Sequence, residues 1–399
     1  MKSPFQGLPR EVAVLAAVAV AVAVGFGVVA PAIPQFARSF GVGKTAAGAV
    51  VSAFALMRFV SAIGGGRLVD AFGERLILAT GIGIVAVSTG LAGLSQSYLQ
   101  LLLLRGVGGI GSAMFTISAT ALLFRVVDGS SRGRATGLFQ SGFLIGGLLG
   151  PLVGGFLTDV SLRLPFYVYA VSLIAAGAIG AVFLSNARLR GEADSNTDSD
   201  SATTTSFREA WSHPAYRAAV TVNFAIGWAF FGVRMSLVPL FVIEALHERA
   251  VWTGAGFLCA SLAQVAFLVV AGRFVDRTGR RPAMIVGTVV AGTALVGLAL
   301  TTSLPLFLAA MTAMGVGGAF IGTAPGAVVG DIMHGRGGRV VAVFQMASDA
   351  GAITGPLAAG WLADQLSFTA AFAACAVVLF VGTAMALRMP ETLQTQPAS

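Results

Sequence analysis

Gly66-Arg-Leu-Val-Asp70-Ala-Phe-Gly73-Glu-Arg75 breaks two long apolar runs with glycine, acid and base, and the pattern returns as Gly272-Arg-Phe-Val-Asp276-Arg-Thr-Gly279-Arg-Arg281. Gly66, Asp70 and Gly73 are each displaced by 206 positions in the second copy. A polar joint recurring at that interval between apolar runs marks two homologous halves of one chain. Downstream, Gly133-Arg134, Phe139-Gln140, Gly150-Pro151 and Asp159 recur as Gly338-Arg339, Phe344-Gln345, Gly355-Pro356 and Asp364, all displaced by 205. The halves are therefore parallel repeats.

Hydrophobic residues make up 56% of the 399 residues, charged residues only 11%, and the mean hydropathy is +0.86. These fractions exclude an ordinary soluble domain. A bilayer core about 30 Å thick needs roughly 20 apolar residues per helix. Runs of that length lie near 12 to 33, 46 to 66, 76 to 94, 99 to 124, 134 to 157 and 164 to 184. Six more lie near 217 to 243, 250 to 271, 283 to 302, 305 to 330, 339 to 362 and 367 to 387. Backbone in lipid must satisfy its own hydrogen bonds, so the expected fold is an all-α polytopic membrane protein with twelve transmembrane helices in two six-helix bundles.

Residues 1–185 form the expected first bundle, 186–216 a polar linker and 217–399 the second bundle with a short tail. The linker carries Gly191-Glu-Ala-Asp-Ser-Asn-Thr-Asp-Ser-Asp-Ser-Ala-Thr-Thr-Thr-Ser206, too polar to bury. Phe207-Arg-Glu-Ala-Trp211 suits a membrane interface. The first apolar run follows Lys2 and Arg10 but exceeds the about 7 to 15 residues of a signal-peptide core. It is read as a retained span.

Eighteen basic residues fall at the N-terminus and in every second loop, against four (Arg38, Lys44, Arg163 and Arg249) in the other loops. This asymmetry places both termini and the linker in the cytoplasm. The formal charge of +8 thus sets topology; there is no basic stripe with interleaved aromatics, and no nucleic-acid partner is expected. Cys259 and Cys375 sit singly inside apolar runs, which gives no disulfide framework and no metal site. Gly106, Gly108 and Gly111 fit a dinucleotide pattern, but inside a membrane-length run rather than after a strand, so no cofactor is expected.

These residues carry a resemblance. The joint at 66 to 75 resembles the loop 2-3 signature of the major facilitator superfamily, and Arg105-Gly-Val-Gly108-Gly109-Ile-Gly111 resembles its span 4 signature. Gly137, Gly146, Gly150-Pro151 and Gly154-Gly155 are similar, at every spacing, to the span 5 signature of its twelve-span drug:proton antiporter branch. The resemblance covers essentially the whole chain. It implies a proton-coupled efflux carrier of the cell membrane, with a small amphipathic solute and protons as partners in a lipid bilayer, working as a monomer. The scarcity of Lys and abundance of Arg, Ala and Gly points to a high-GC bacterium.

The resemblance further implies a cytoplasmic latch formed by Gly66, Asp70, Gly73 and Arg75 and by Gly272, Asp276, Gly279 and Arg280. It implies a seam between the halves along Gly146, Gly150, Pro151, Gly154 and Gly155 and along Gly351, Gly355, Pro356 and Gly360. Independently of family, Gly73 permits a tight turn and Asp70 can accept backbone hydrogen bonds at a helix start or face the positive end of a neighbouring helix. Pro151 removes one helical hydrogen bond.

An ionisable group at the centre of a span costs roughly 2.5 to 3.5 kcal/mol, so each one is a functional candidate. Four stand out: Arg58, Arg105, Arg234 and Asp349. Asp349 is read as a proton-exchanging carboxylate, as the ion-pair partner of an arginine, or as a water-exposed acid. Its counterpart in the first half is Leu144. Arg105 matches the arginine that the family uses near its proton pathway, and is paired with Asp349 as the proton-coupling set. Arg58 and Arg234 are read as anchors for anionic substrate groups or as ion-pair partners.

Bundle geometry adds Phe26, Asn223, Trp228, Phe230, Phe231 and Gln264 to the expected substrate cavity. Span 1 lacks the acid that many cation exporters of the family carry, and three arginines against one aspartate favour neutral, zwitterionic or anionic amphiphiles. Lipid or glycolipid flipping, export of an anionic metabolite and a non-transporting sensor are the competing readings. No enzyme is expected, because His213, His247 and His334 lie in or beside loops without a nucleophile and base pair.

Overall fold

The computed structural model describes residues 9–127, 132–183, 207–333 and 338–393. The first half contains α1 (Arg10–Val29), α2 (Ala32–Arg38), α3 (Lys44–Phe72), α4 (Glu74–Gly93), α5 (Tyr98–Val126), α6 (Arg132–Val160) and α7 (Leu164–Phe183). A short α8 (Phe207–Ser212) precedes α9 (Pro214–Ile226), a π-helical turn at Gly227–Val233 and α10 (Arg234–Glu244). Then come α11 (Ala250–Arg277), α12 (Arg280–Leu300), α13 (Leu304–Ile332), α14 (Gly338–Gln365) and α15 (Phe368–Arg388). Among the described residues, 11 helical stretches are long and apolar enough to cross a membrane, and the shorter apolar run Leu164–Gly180 in α7 coincides with the remaining expected span.

Three expectations change. Span 1 is two helices, because Pro31 and Pro34 cannot continue the hydrogen-bond ladder of α1 and the chain restarts as α2. Span 7 is interrupted by the π-helical turn. Helix α3 runs through the whole first joint to Phe72, so Asp70 lies in its last turn rather than at a helix start. The turn itself is Gly73 alone, at φ 83°, and its repeat Gly279 has φ 123°. Only glycine takes such angles without strain. The side chain of Asp70, and residues 186–206 of the expected linker, lie outside the described residues.

Two compact units result. Unit 1 comprises Met1–Val42, Ala49–Asp198 and Arg249–Gly254; unit 2 comprises Gly43–Gly48, Ser199–Glu248 and Ala255–Ser399. Each has its own core: Leu15, Leu78, Ile82, Leu101, Leu122 and Phe166 are fully buried in unit 1, and Tyr216, Phe257, Phe307 and Phe372 in unit 2. Val107, Val171, Ile174 and Val269 stand outward, as side chains against lipid do.

Helices in lipid associate through close packing rather than a hydrophobic drive, and small residues permit it. A Cβ at Gly81 would lie 2.8 Å from the Gly111 carbonyl, and one at Gly111 would lie 2.6 Å from the Gly81 carbonyl, where α4 crosses α5. Their repeats meet in the same way: a Cβ at Gly317 would lie 2.9 Å from the Gly287 carbonyl, where α13 crosses α12.

The glycine faces of spans 5 and 11 turn largely to the first span of their own unit. Gly146, Gly150 and Gly154 abut α1 at Ala23, Val24, Gly27 and Val28, while Gly351 and Gly355 abut Phe224, Gly227 and Trp228. Pro151 sits against Gly27 as Pro356 sits against Gly232. Gly155 meets Ala250 and Val251, and Gly360 meets Lys44 and Thr45. Close approach is thus the general use of these residues.

Candidate functional site

In unit 1, Ser97 caps α5 by accepting from the Gln100 N–H and Arg105 lies two turns further on. A Cβ at Gly109 would lie 2.3 Å from the Phe54 carbonyl, so the missing side chain lets α3 approach α5 closely. This sets the Arg105 guanidinium 4.4 Å from the centroid of the Phe54 ring. Phe26 packs on Phe54 with centroids 6.2 Å apart and on Tyr169 at 6.4 Å. Arg105 is only 3% exposed, and its Nε and Nη1 have no hydrogen-bond partner among the described residues. Cation–π contact supplies about 0.5 to 2 kcal/mol, less than the several kcal/mol that burying a cation costs. Arg58 is half-buried on α3, next to this crossing.

In unit 2, the π-helical turn places a second such group. A π-turn holds one residue more per hydrogen-bonded ring than the α-helix and so re-aims the side chains that follow. Gly227 lies so near the Ser348 carbonyl that a Cβ there would come within 1.8 Å, and one at Gly232 would come within 2.9 Å of Pro356. Arg234 follows, its guanidinium 5.6 Å from the Phe230 centroid and 5.4 Å from that of Phe257. Its Nε and Nη1 are sealed from solvent and have no partner among the described residues. Gln264 and Phe230 flank Gly318: a Cβ at that glycine would lie 2.9 Å from Phe230 Cε1 and 3.7 Å from Gln264 Cδ.

The remaining expected cavity residues have other surroundings. Asn223 donates from Nδ2 to the Phe344 carbonyl at 2.6 Å, tying α9 to α14. Tyr216 does the same through its hydroxyl to the Val340 carbonyl at 2.7 Å. Trp228 packs against Gly351 and Gly355. Phe231 is 56% exposed on the outside of the π-turn. Asp349 is half-buried on α14, beside Ser348 and the Gly227 contact. Within unit 2 the structure sets Phe230 and Phe257 beside Arg234, with Gln264 near Phe230; within unit 1 it sets Phe54 beside Arg105, with Phe26 packed between Phe54 and Tyr169. Phe54 precedes Arg58, and Phe230 precedes Arg234, by four residues, a spacing that stacks neighbours on one helix face. Phe257 and Tyr169 come from distant helices and carry no such local mark.

The joints at 66 to 75 and 272 to 281 are held by ion pairs. Arg125 Nη2 lies 2.9 Å from Glu74 Oε1 in unit 1. In unit 2, Arg280 Nε donates to Asp331 Oδ2 at 2.9 Å and Nη1 donates to the Val275 carbonyl at 2.7 Å, with Asp276 Oδ1 at 3.5 Å. The tail closes this site: Glu391 accepts from the backbone N–H of Arg280 at 2.8 Å and of Arg281 at 3.0 Å, the first turn of α12. The Thr392 hydroxyl donates to Asp331 at 2.9 Å. Partial burial opposes the charged form of Glu391, but the N–H donors of Leu393, Arg280, Arg281 and Thr392 prevail and hold its pKa below the ordinary carboxylate value.

At the opposite ends of the spans, two repeat-related carboxylates each cap a helix. Asp159 Oδ1 accepts from the Ala250 N–H at 2.8 Å, and its Oδ2 is 3.1 Å from Arg249. Asp364 accepts from the N–H groups of Lys44 and Thr45, both at 2.8 Å, and from the Thr45 hydroxyl at 2.7 Å. An acid at a helix N-terminus is favoured by orphan N–H groups and the helix dipole.

A family model described as Major Facilitator Superfamily matches residues 15–263 and 235–399. The chain is similar to the quinolone resistance protein NorA of Staphylococcus aureus (strain MRSA252), 31% identical over 156 residues, or 39% of this chain and 38% of that protein. It is 30% identical over 160 residues to multidrug resistance protein 1 of Bacillus subtilis (strain 168), or 40% of this chain and 41% of that protein. The matched segment spans about two fifths of these relatives' length. In structure it resembles a bacterial homologue of the human lysosomal transporter Spinster in an inward-facing, unoccupied conformation, with a TM-score of 0.77 at 18% identity over 94% of this chain and 95% of that one. A POT family transporter in complex with a thioalcohol-conjugated peptide superposes with a TM-score of 0.78 at 12% identity over 96% of both chains. The structural likenesses describe the fold; the family model, which spans most of the sequence, shows that the chain belongs to the major facilitator superfamily.

Proposed function

We propose that this chain is a proton-coupled exporter of amphipathic small molecules, working by alternating access in a bacterial cell membrane. The observation that carries the reading is the set of ionisable groups within the spans: Arg105 caged in unit 1, Arg234 caged in unit 2, and Asp349 half-buried on α14. Such groups in a membrane segment are retained against a cost and mark solute or proton pathways. Two similar proteins named for quinolone and multidrug resistance support export as its direction.

In this reading Asp349 and Arg105 couple protons, and Arg58, Arg234, Phe26, Trp228 and Gln264 serve the solute. The joints at 66 to 75 and 272 to 281 govern access from the cytoplasm, where both termini lie. The test is a panel of cationic, neutral and anionic amphiphiles in proteoliposomes, with and without an imposed pH gradient. Solute uptake that rises when the vesicle lumen is made more acidic than the bath, so that protons leave as solute enters, supports antiport; uptake indifferent to the gradient for every solute overturns it.

A further inference from the structure

Arg234 differs from the other arginines of unit 2 whose contacts are defined. Arg280 is satisfied by Asp331 and the Val275 carbonyl, and Arg281 by the Leu387 carbonyl. Arg234 has two ring neighbours and, among the described residues, neither an ion pair nor a hydrogen bond at Nε or Nη1. Two cation–π contacts offset only part of the cost of taking Nε and Nη1 out of water. An anion brought to the guanidinium would supply the rest, through charge-assisted hydrogen bonds roughly twice as strong as neutral ones.

From the geometry we infer that Arg234, Phe230 and Phe257 form an anion subsite within unit 2, which takes the carboxylate of an amphipathic monocarboxylate. The inference rests on the exporter reading and names the solute class. The guanidinium is a planar fork that matches a carboxylate, and the buried rings of Phe257 and Phe230 shelter that pair from water. Gln264, next to Phe230 across Gly318, brings an amide whose N–H can reach a second oxygen or a ring substituent. The π-helical turn matters because it is what re-aims Arg234: the turn is fixed by Gly227 against the Ser348 carbonyl and by Gly232 against Pro356, neither of which admits a Cβ. The sign of the charge selects against cations and the single guanidinium selects for one negative charge rather than two.

The experiment is equilibrium binding to the purified full-length protein in detergent, read by ligand fluorescence, with 1-naphthoate, its neutral analogue 1-naphthamide and the cation 1-naphthylmethylamine. The wild type should bind naphthoate at least about tenfold more tightly than naphthamide, and the cation least. Arg234→Gln should remove that preference by lowering naphthoate affinity at least about tenfold. Arg234→Lys, which keeps the charge and loses the planar fork, should retain an intermediate preference and guards against a Gln variant that does not fold. Equal affinities for naphthoate and naphthamide in the wild type, or an undiminished preference in either folded variant, would overturn the proposal. So would binding of dioleoyl phosphatidate, abolished by Arg234→Gln, together with no binding of naphthoate, which would assign the site to a lipid phosphate. Binding in detergent needs no gradient, so a missing response to pH gradients in liposomes would defeat the exporter reading and leave this result standing.

Discussion

Arg280 pairs with Asp331 at 2.9 Å, and 206 residues earlier Glu74 pairs with Arg125 at the same distance with the charges exchanged. The repeat has kept the bridge between the start of its third span and the end of its fourth while reversing its polarity. Among the described residues, the second copy has further partners in Asp276, Glu391 and Thr392. The reversal gives a direct test of whether the pairing itself is what matters. Glu74→Arg and Arg125→Asp should each lower the thermal midpoint in detergent, and the double variant should recover most of the loss. A coupling of about 0.5 to 1.5 kcal/mol is expected for a pair with one exposed partner; additive losses would show that the two side chains act separately.

The tail contact predicts a pH dependence. The pKa of Glu391 is depressed in the folded protein, so its contribution is complete above the unfolded value and is lost as the pH falls through the lowered folded value. Hydrogen exchange of the Arg280 and Arg281 amides, corrected for intrinsic rate, should therefore lose protection only under clearly acidic conditions. Glu391→Gln should lose that protection at neutral pH, and unchanged protection in this variant would remove the tail from the joint.

Glycines that look alike in sequence should respond differently. A Cβ at Gly154 would lie 2.1 Å from the Val28 carbonyl, whereas one at Gly137, in the same helix, meets nothing within 4 Å. Gly154→Ala should destabilise by about 1 to 3 kcal/mol as overpacking does. Gly137→Ala should be neutral or stabilising by about 0.5 to 1 kcal/mol, the usual helical gain. Melting of the two variants in the same detergent checks both; a similar loss in each would contradict the packing assignment.

The two-fold plan was legible because the joint and the span 5 pattern recur at nearly one interval, and each span is long enough to be read by length alone. The π-helical turn was not legible: Gly227-Trp-Ala-Phe-Phe-Gly-Val233 is apolar throughout, and its register is decided by Ser348 and Pro356, more than a hundred residues away. The extension of α3 to Phe72 was hidden because Asp70 looks like a cap but lies where the helix ends. Asp159 and Asp364 were visible as repeats, while their helix-capping partners at Ala250, Lys44 and Thr45 were set by tertiary packing. Arg105 and Arg234 could be picked out by the cost of a charge in a span, but Phe54 beside Arg105 and Phe257 beside Arg234 lie far away in sequence.

The most direct test of proton-coupled export is transport of one substrate into proteoliposomes by wild type and Asp349→Asn, each with and without an imposed pH gradient. The account predicts gradient-driven accumulation by the wild type, and for the variant, folded and still binding solute, only downhill exchange at a rate indifferent to the gradient. Full gradient-driven accumulation by Asp349→Asn would contradict it.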